Sequence, residues 1–277
     1  MNDIERLKRI ENDLQKAPTV IYLEGKTDPE IFFALLGVAR PGSSIHNDVY
    51  VVGLSKGGSG GTEVQELVRV ADNNNQAGQL GQGGIFGVID GDGRDLAALG
   101  GEFDNPFVGP VFSWKAYCIE NMLAKTAWPS AWGNESNWTN VLDQYAPYAA
   151  LNRVHRSLQN DLKTLHLHRF RNPQLGQALV QADSIQTTLE QDKGLITGRD
   201  VAAEFNAELA QVQADISSSL DAGHTQINGK WFVRHYAPTT ANQNEQQCRK
   251  NWIAAVQNAG GLAEVRNWWQ RVTGNAP

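Results

Sequence analysis

Cysteine is nearly absent from this chain of 277 residues. The two present, Cys118 and Cys248, make neither a disulfide framework nor a zinc site, so a reducing cytoplasmic setting is expected. Long apolar runs are also missing: the longest, 31–39, falls far short of the roughly 20 residues that cross a bilayer, and no membrane association is expected. The charged, helix-patterned start (Asp3, Glu5, Arg6) has no signal-peptide stretch behind it. Positive charge is scarce as well, with 24 Lys and Arg against 30 Asp and Glu and a net charge of -6. Proteins that grip nucleic acid through its phosphates are usually basic. Either nucleic acid is not the ligand, or a local site binds it with cations and a small basic patch. Internal repeats and long low-complexity stretches are absent.

What is present is an alternation of apolar strands and amphipathic helices. Residues 3–16 carry Ile4, Leu7, Ile10 and Leu14 at helical spacing. A continuous apolar run at 19–23 reads as a strand, followed by a helix over 29–38. Further strands are predicted at 49–52, 84–89 and 107–112, with helices at 62–71 and 117–125. Apolar strands separated by helices indicate an α/β fold, a parallel sheet flanked by helices on both faces. Residues 73–84, rich in Asn, Gln and Gly, read as a loop. After about residue 126 the periodicity turns helical, clearest at 178–189 and 201–220, with a closing helical pair at 243–269 broken at Gly260-Gly261. The expected organisation is an α/β core over 1–125 and a mostly helical part over 126–277.

Function in open parallel sheets gathers where chains leave the carboxyl ends of the strands. Two such ends carry acids: the strand ending at Leu23 runs into Glu24-Gly25-Lys26-Thr27-Asp28, and the strand ending at Ile89 into Asp90-Gly91-Asp92-Gly93. Two carboxylates about 4 Å apart repel by roughly 4 kcal/mol at an effective dielectric near 20. Convergent acids therefore call for protons, basic partners or a divalent cation, and hard oxygen ligands favour Mg2+ or Mn2+ over zinc. Taken singly, each acid has a structural reading; Asp28, ahead of Pro29, suits a helix start. Two clusters at successive strand ends favour chemistry.

Asp90-Gly91-Asp92-Gly93 is not an EF-hand, because the twelfth loop position is Gly101 and a strand precedes it. Lys56-Gly57-Gly58-Ser59-Gly60-Gly61 is not a P-loop, since its lysine precedes the glycines; it can present backbone N–H groups or Lys56 to a phosphate, or be a plain loop. The basic stretch 163–171, with His166 and His168, and the nearby Arg153, His155 and Arg156, reads as a solvated helix face or a nucleic-acid groove. Trp231, Trp252, Trp268 and Trp269 are expected to pack the helical part; an exposed Trp268-Trp269 pair would be a partner surface.

The order Glu24-Gly25-x-x-Asp28 after one apolar strand and Asp90-x-Asp92-Gly93 after another resembles the Toprim domain, over about residues 18–125. Within it the chain is most similar to the DUF4435 branch related to the overcoming-lysogenization-defect nucleases. The resemblance rests on Tyr22–Asp28, on Ile119-Glu120-Asn121-Met122-Leu123, like the branch's "iENyL" helix, and on Ile227-Asn228-Gly229-Lys230, like its "GK" motif near 227–235. Met122 departs from the expected aromatic. The resemblance implies a Mg2+- or Mn2+-dependent endonuclease acting on RNA, transfer RNA included, or on DNA. Glu24, Asp90 and Asp92 would be catalytic and metal-binding, Glu120 would complete the metal site, Asp28 would join or support it, and Lys230 would stabilise the scissile phosphate. Branch members include effectors of the anti-phage system called PARIS, held inactive by an ABC-class ATPase partner and dimerising on release. A catalytically silent module that binds a partner protein, and an accessory enzyme of topoisomerase or primase type, are the alternatives.

Overall fold

The computed structural model describes residues 1–54, 60–91, 110–114, 116, 118–132, 135–161, 200–219, 222–224, 229–231 and 244–277. The chain divides into two compact units, one of Met1–Ala127 with Arg249–Pro277, the other of Trp128–Cys248.

The first unit is α/β. Its sheet has the order β2-β3-β1-β4-β5, from β1 (Thr19–Leu23), β2 (Ile45–His46), β3 (Val49–Gly53), β4 (Gly84–Ile89) and β5 (Val111–Ser113). The strands β3, β1, β4 and β5 are mutually parallel, and β2 is an antiparallel edge. All five residues of β1 are buried, as an unbroken Thr-Val-Ile-Tyr-Leu run at the centre of a sheet covered on both faces requires. Helices α1 (Asp3–Leu14) and α3 (Gly60–Asn73) cover one face, where Ile10, Val64, Leu67 and Val68 pack with Val20, Tyr22, Ile85 and Ile89. The alternate strand residues face the other way: Phe86 stacks on Phe112 at 6.2 Å, and Phe112 meets Trp268 edge-on at 5.3 Å. On that side α2 (Asp28–Leu35) is buried along nearly its whole length.

The final helices, α8 (Glu245–Asn258) and α9 (Ala263–Thr273), largely belong to this unit and not to the helical part that precedes them. The expected division assigned all of 126–277 to a helical part, whereas residues from 249 onward return to this unit. Aromatic packing is the reason: Phe32 of α2 lies 5.9 Å from Trp268 and 6.2 Å from Trp269. Backbone bonds add to it, the Leu262 N–H donating to the Leu35 carbonyl at 2.7 Å. Trp252, Trp268 and Trp269 are all buried, but in this α/β unit and not in the helical part that they were expected to pack.

The second unit contains α5 (Glu135–Asp161), α6 (Val201–Ser218) and the short turn α7 (Gly229–Trp231). The helices α5 and α6 pack along each other, with Arg153 3.0 Å from Glu208 and 3.7 Å from Asp215. Buried Trp138 donates from Nε1 to Nε2 of His224 at 2.9 Å. The basic stretch 163–171 and the helix expected at 178–189 lie outside the described residues. Among the described residues, no helix is long and apolar enough to cross a membrane.

Candidate functional site

The register of the sheet determines which residues share its carboxyl rim. Leu23 lies opposite Val88, so the chain leaves β1 at Glu24 one step before it leaves β4 at Asp90. The Oε1 of Glu24 accepts a 2.7 Å hydrogen bond from the Asp90 backbone N–H. Two residues 66 positions apart are thereby joined at one point. The Asp90 side chain, only 1% exposed, continues to a third segment: its Oδ1 accepts from the Ile119 N–H at 3.3 Å. Ile119 opens α4 (Ile119–Trp132), so the Asp90 carboxylate meets the electropositive first turn of a helix.

Glycines make this crowding sterically feasible. A Cβ on Gly61, in the first turn of α3, would stand 2.7 Å from Oε1 of Glu24. The Glu24 carboxylate thus rests against the start of a second helix. A Cβ on Gly91 would stand 2.6 Å from the Trp114 carbonyl, so only glycine lets the exit from β4 run so close to the β5–α4 connection.

Glu120, the second residue of α4, is 7% exposed, and its buried Oε2 has no hydrogen-bond partner among the described residues. Asp28 has a local role: its Oδ2 accepts from the Gly25 N–H at 2.7 Å while its own N–H donates to the Gly25 carbonyl at 3.1 Å. That reciprocal pair closes the β1–α2 turn just beyond Glu24. Asp92 and Lys56 lie outside the described residues. Lys230 sits on α7 in the second unit.

The structure therefore unites Glu24, Asp90 and the first turn of α4, with Asp28 bracing the adjoining loop. Among the described residues, no group of three or more His, Cys, Asp or Glu side chains is gathered into a metal-binding cluster. The side chains at the rim offer carboxylate oxygens, the donor type that hard divalent cations take, and the buried Oε2 of Glu120 has no hydrogen-bond partner among the described residues. Sequence reasoning missed three contributors. The Ile119 amide is a backbone donor and carries no mark in sequence. Gly61 was visible only as part of a glycine-rich stretch. Arg249, remote in the chain, donates from Nη2 to the Thr27 carbonyl at 3.0 Å and so grips the loop between Glu24 and Asp28. No family model, no curated protein and no solved structure matches the chain.

Proposed function

We propose that this protein is a metal-dependent endonuclease hydrolysing phosphodiester bonds of RNA or DNA at the carboxyl rim of its sheet. The observation that supports the reading is the hydrogen-bonded chain from Glu24 through Asp90 to the first turn of α4, which also carries Glu120. Glu24, Asp90 and Glu120, joined by Asp92, would hold Mg2+ or Mn2+. Such an ion, when bound, supplies charge neutralisation at a phosphoryl oxygen and a more acidic water. The chain's own contribution is orientation. The Asp90 amide fixes the Glu24 carboxylate, the Ile119 amide fixes that of Asp90, and Asp28 holds the loop through which Glu24 leaves the sheet. The resemblance to the Toprim nucleases would also give Lys230 a phosphate-binding role.

The resemblance to the Toprim nucleases extends the proposal to a cytoplasmic anti-phage effector, restrained by an ABC-class ATPase and dimeric when released, with transfer RNA among its substrates. A silent partner-binding module is the second reading, favoured by the net charge of -6, which suits a basic protein surface better than a phosphate backbone.

The test is cleavage of end-labelled transfer RNA and DNA in Mg2+, Mn2+ or chelator, alongside calorimetric titration with Mn2+. Glu24→Ala and Asp90→Asn are expected to lower cleavage by about a thousandfold, the loss of several kcal/mol of transition-state stabilisation. Their circular dichroism should stay native. Full cleavage by both variants removes the assignment; a wild-type protein that binds no Mn2+, with or without substrate, supports the silent module.

A further inference from the structure

We infer that Asn121 is a positioning residue of this site, fixing the first turn of α4 so that the Ile119 amide and the Glu120 carboxylate are presented to Asp90 and a divalent cation. The inference rests on the metal-dependent reading above and deepens it. Asn121 is 1% exposed, and its Oδ1 accepts two bonds, from the Cys118 N–H and from the Cys118 thiol, both at 3.2 Å. In return its own N–H donates to the Cys118 carbonyl at 3.1 Å. A backbone N–H can only donate, so the atom facing Cys118 must be the amide oxygen.

The consequence concerns how the start of α4 is divided. The first N–H groups of a helix have no partner within it. Here the Cys118 N–H goes to Asn121, and the next, that of Ile119, goes to Asp90. A side chain of the helix itself thus claims one donor and leaves its neighbour for the acid at the end of β4. Between Ile119 and Asn121 stands Glu120, whose buried Oε2 has no hydrogen-bond partner among the described residues. The residue on each side of Glu120 is held by a bond outside the regular helical ladder, and the backbone carrying its carboxylate is fixed from both directions. Both Cys118 and Asn121 are buried, so water does not readily replace a lost bond.

An ordinary capping role would affect stability alone; a positioning role must also move metal affinity. The experiment is calorimetric titration of the full chain with Mn2+, for wild type, Asn121→Ala and Asn121→Asp, with thermal melts as a control on folding. Asn121→Ala is expected to weaken Mn2+ binding by about tenfold or more, the usual effect of removing a group that orients a metal ligand. Asn121→Asp keeps the acceptor and the volume and is expected to restore affinity to within about threefold. Should the alanine variant unfold, Asn121→Ser takes its place, being one bond too short to hold both Cys118 donors. Unchanged affinity in a folded Ala or Ser variant overturns the inference and leaves the nuclease reading standing. So does an Asp variant as weak as Ala, because the acceptor would not be what matters. Absence of Mn2+ binding in wild type overturns both.

Discussion

Asp13 and Glu120 are both buried acids of the α/β unit, 5% and 7% exposed, but they are accommodated differently. Near the end of α1, Asp13 accepts from the Tyr22 hydroxyl at 2.9 Å and from Lys16 at 2.7 Å, with Arg9 at 3.6 Å. Its charge is compensated from three sides. At the carboxyl rim, Glu120 keeps a buried Oε2 that no described group satisfies. Leaving a buried polar atom unsatisfied costs about 1–3 kcal/mol, more when it is charged. One acid is built into the architecture, and the other keeps an oxygen that, under the proposed function, a cation would satisfy. Tyr22 belongs to β1, the strand that runs into Glu24.

The strongest way to break this contrast is to remove each acid in turn. Asp13→Ala strands the buried Tyr22 hydroxyl and releases two cations, and is expected to lower stability by about 2–3 kcal/mol in urea unfolding. Glu120→Gln replaces the buried carboxyl by a neutral amide of the same shape and is expected to change metal-free stability only slightly, by at most about 1 kcal/mol. With Mn2+ at a hundred times its dissociation constant, wild type should gain about 2.7 kcal/mol, and Glu120→Gln far less. Equal destabilisation by the two substitutions would show that Glu120 is as structural as Asp13.

The pH dependence sharpens the same contrast. Burial, reinforced by the Asp13 charge and hydrogen bond, pushes the Tyr22 phenol above its ordinary range. The hydrogen bond to Asp13 raises Lys16. Burial pushes the Cys248 thiol from 9.0 up to about 11. Each group binds its proton more tightly when folded, so its contribution is complete below its unfolded value and disappears as pH rises through the folded one. Stability should therefore hold up to about pH 9 and fall beyond it, by about 2 kcal/mol from Cys248 alone between pH 9 and 11. Urea titrations across this range would measure the slope. Asp13→Ala should flatten the part due to Tyr22 and Lys16, whereas Glu120→Gln should leave the alkaline limb unchanged.

Much of this arrangement is legible in sequence, and the exceptions have physical causes. Continuous apolar runs gave β1 and β4 to the residue, because strands buried on both faces leave no alternative pattern. The edge strand β2 was missed: two residues are too few for a period, although Asn47-Asp48, with φ of 47° and 60°, is the turn chemistry of a tight hairpin. Return of α8 and α9 to the sheet depends on Phe32, Phe112, Trp268 and Trp269 meeting across the chain, which no local pattern encodes. At the rim, Glu24 and Asp90 stood out because acids follow apolar strands. Their partners did not, since the donors are main-chain amides and the space is provided by glycine.

Gly61 offers the finest test, because local preference and site geometry oppose each other there. In the first turn of α3 an alanine is intrinsically favoured over glycine by up to about 1 kcal/mol. Its Cβ would stand 2.7 Å from Oε1 of Glu24, closer than such atoms approach, so the carboxylate must yield. Yielding means lengthening the 2.7 Å bond to the Asp90 amide that joins β1 to β4 at the rim. Gly61→Ala is thus expected to change stability by less than about 1 kcal/mol in either direction. Cleavage should nevertheless fall by about a hundredfold, the effect of an ångström-scale misplacement at a reacting centre. Retained activity with raised stability would mean that the Glu24 carboxylate has room to spare, and that the tight packing at α3 serves the helix and not the site.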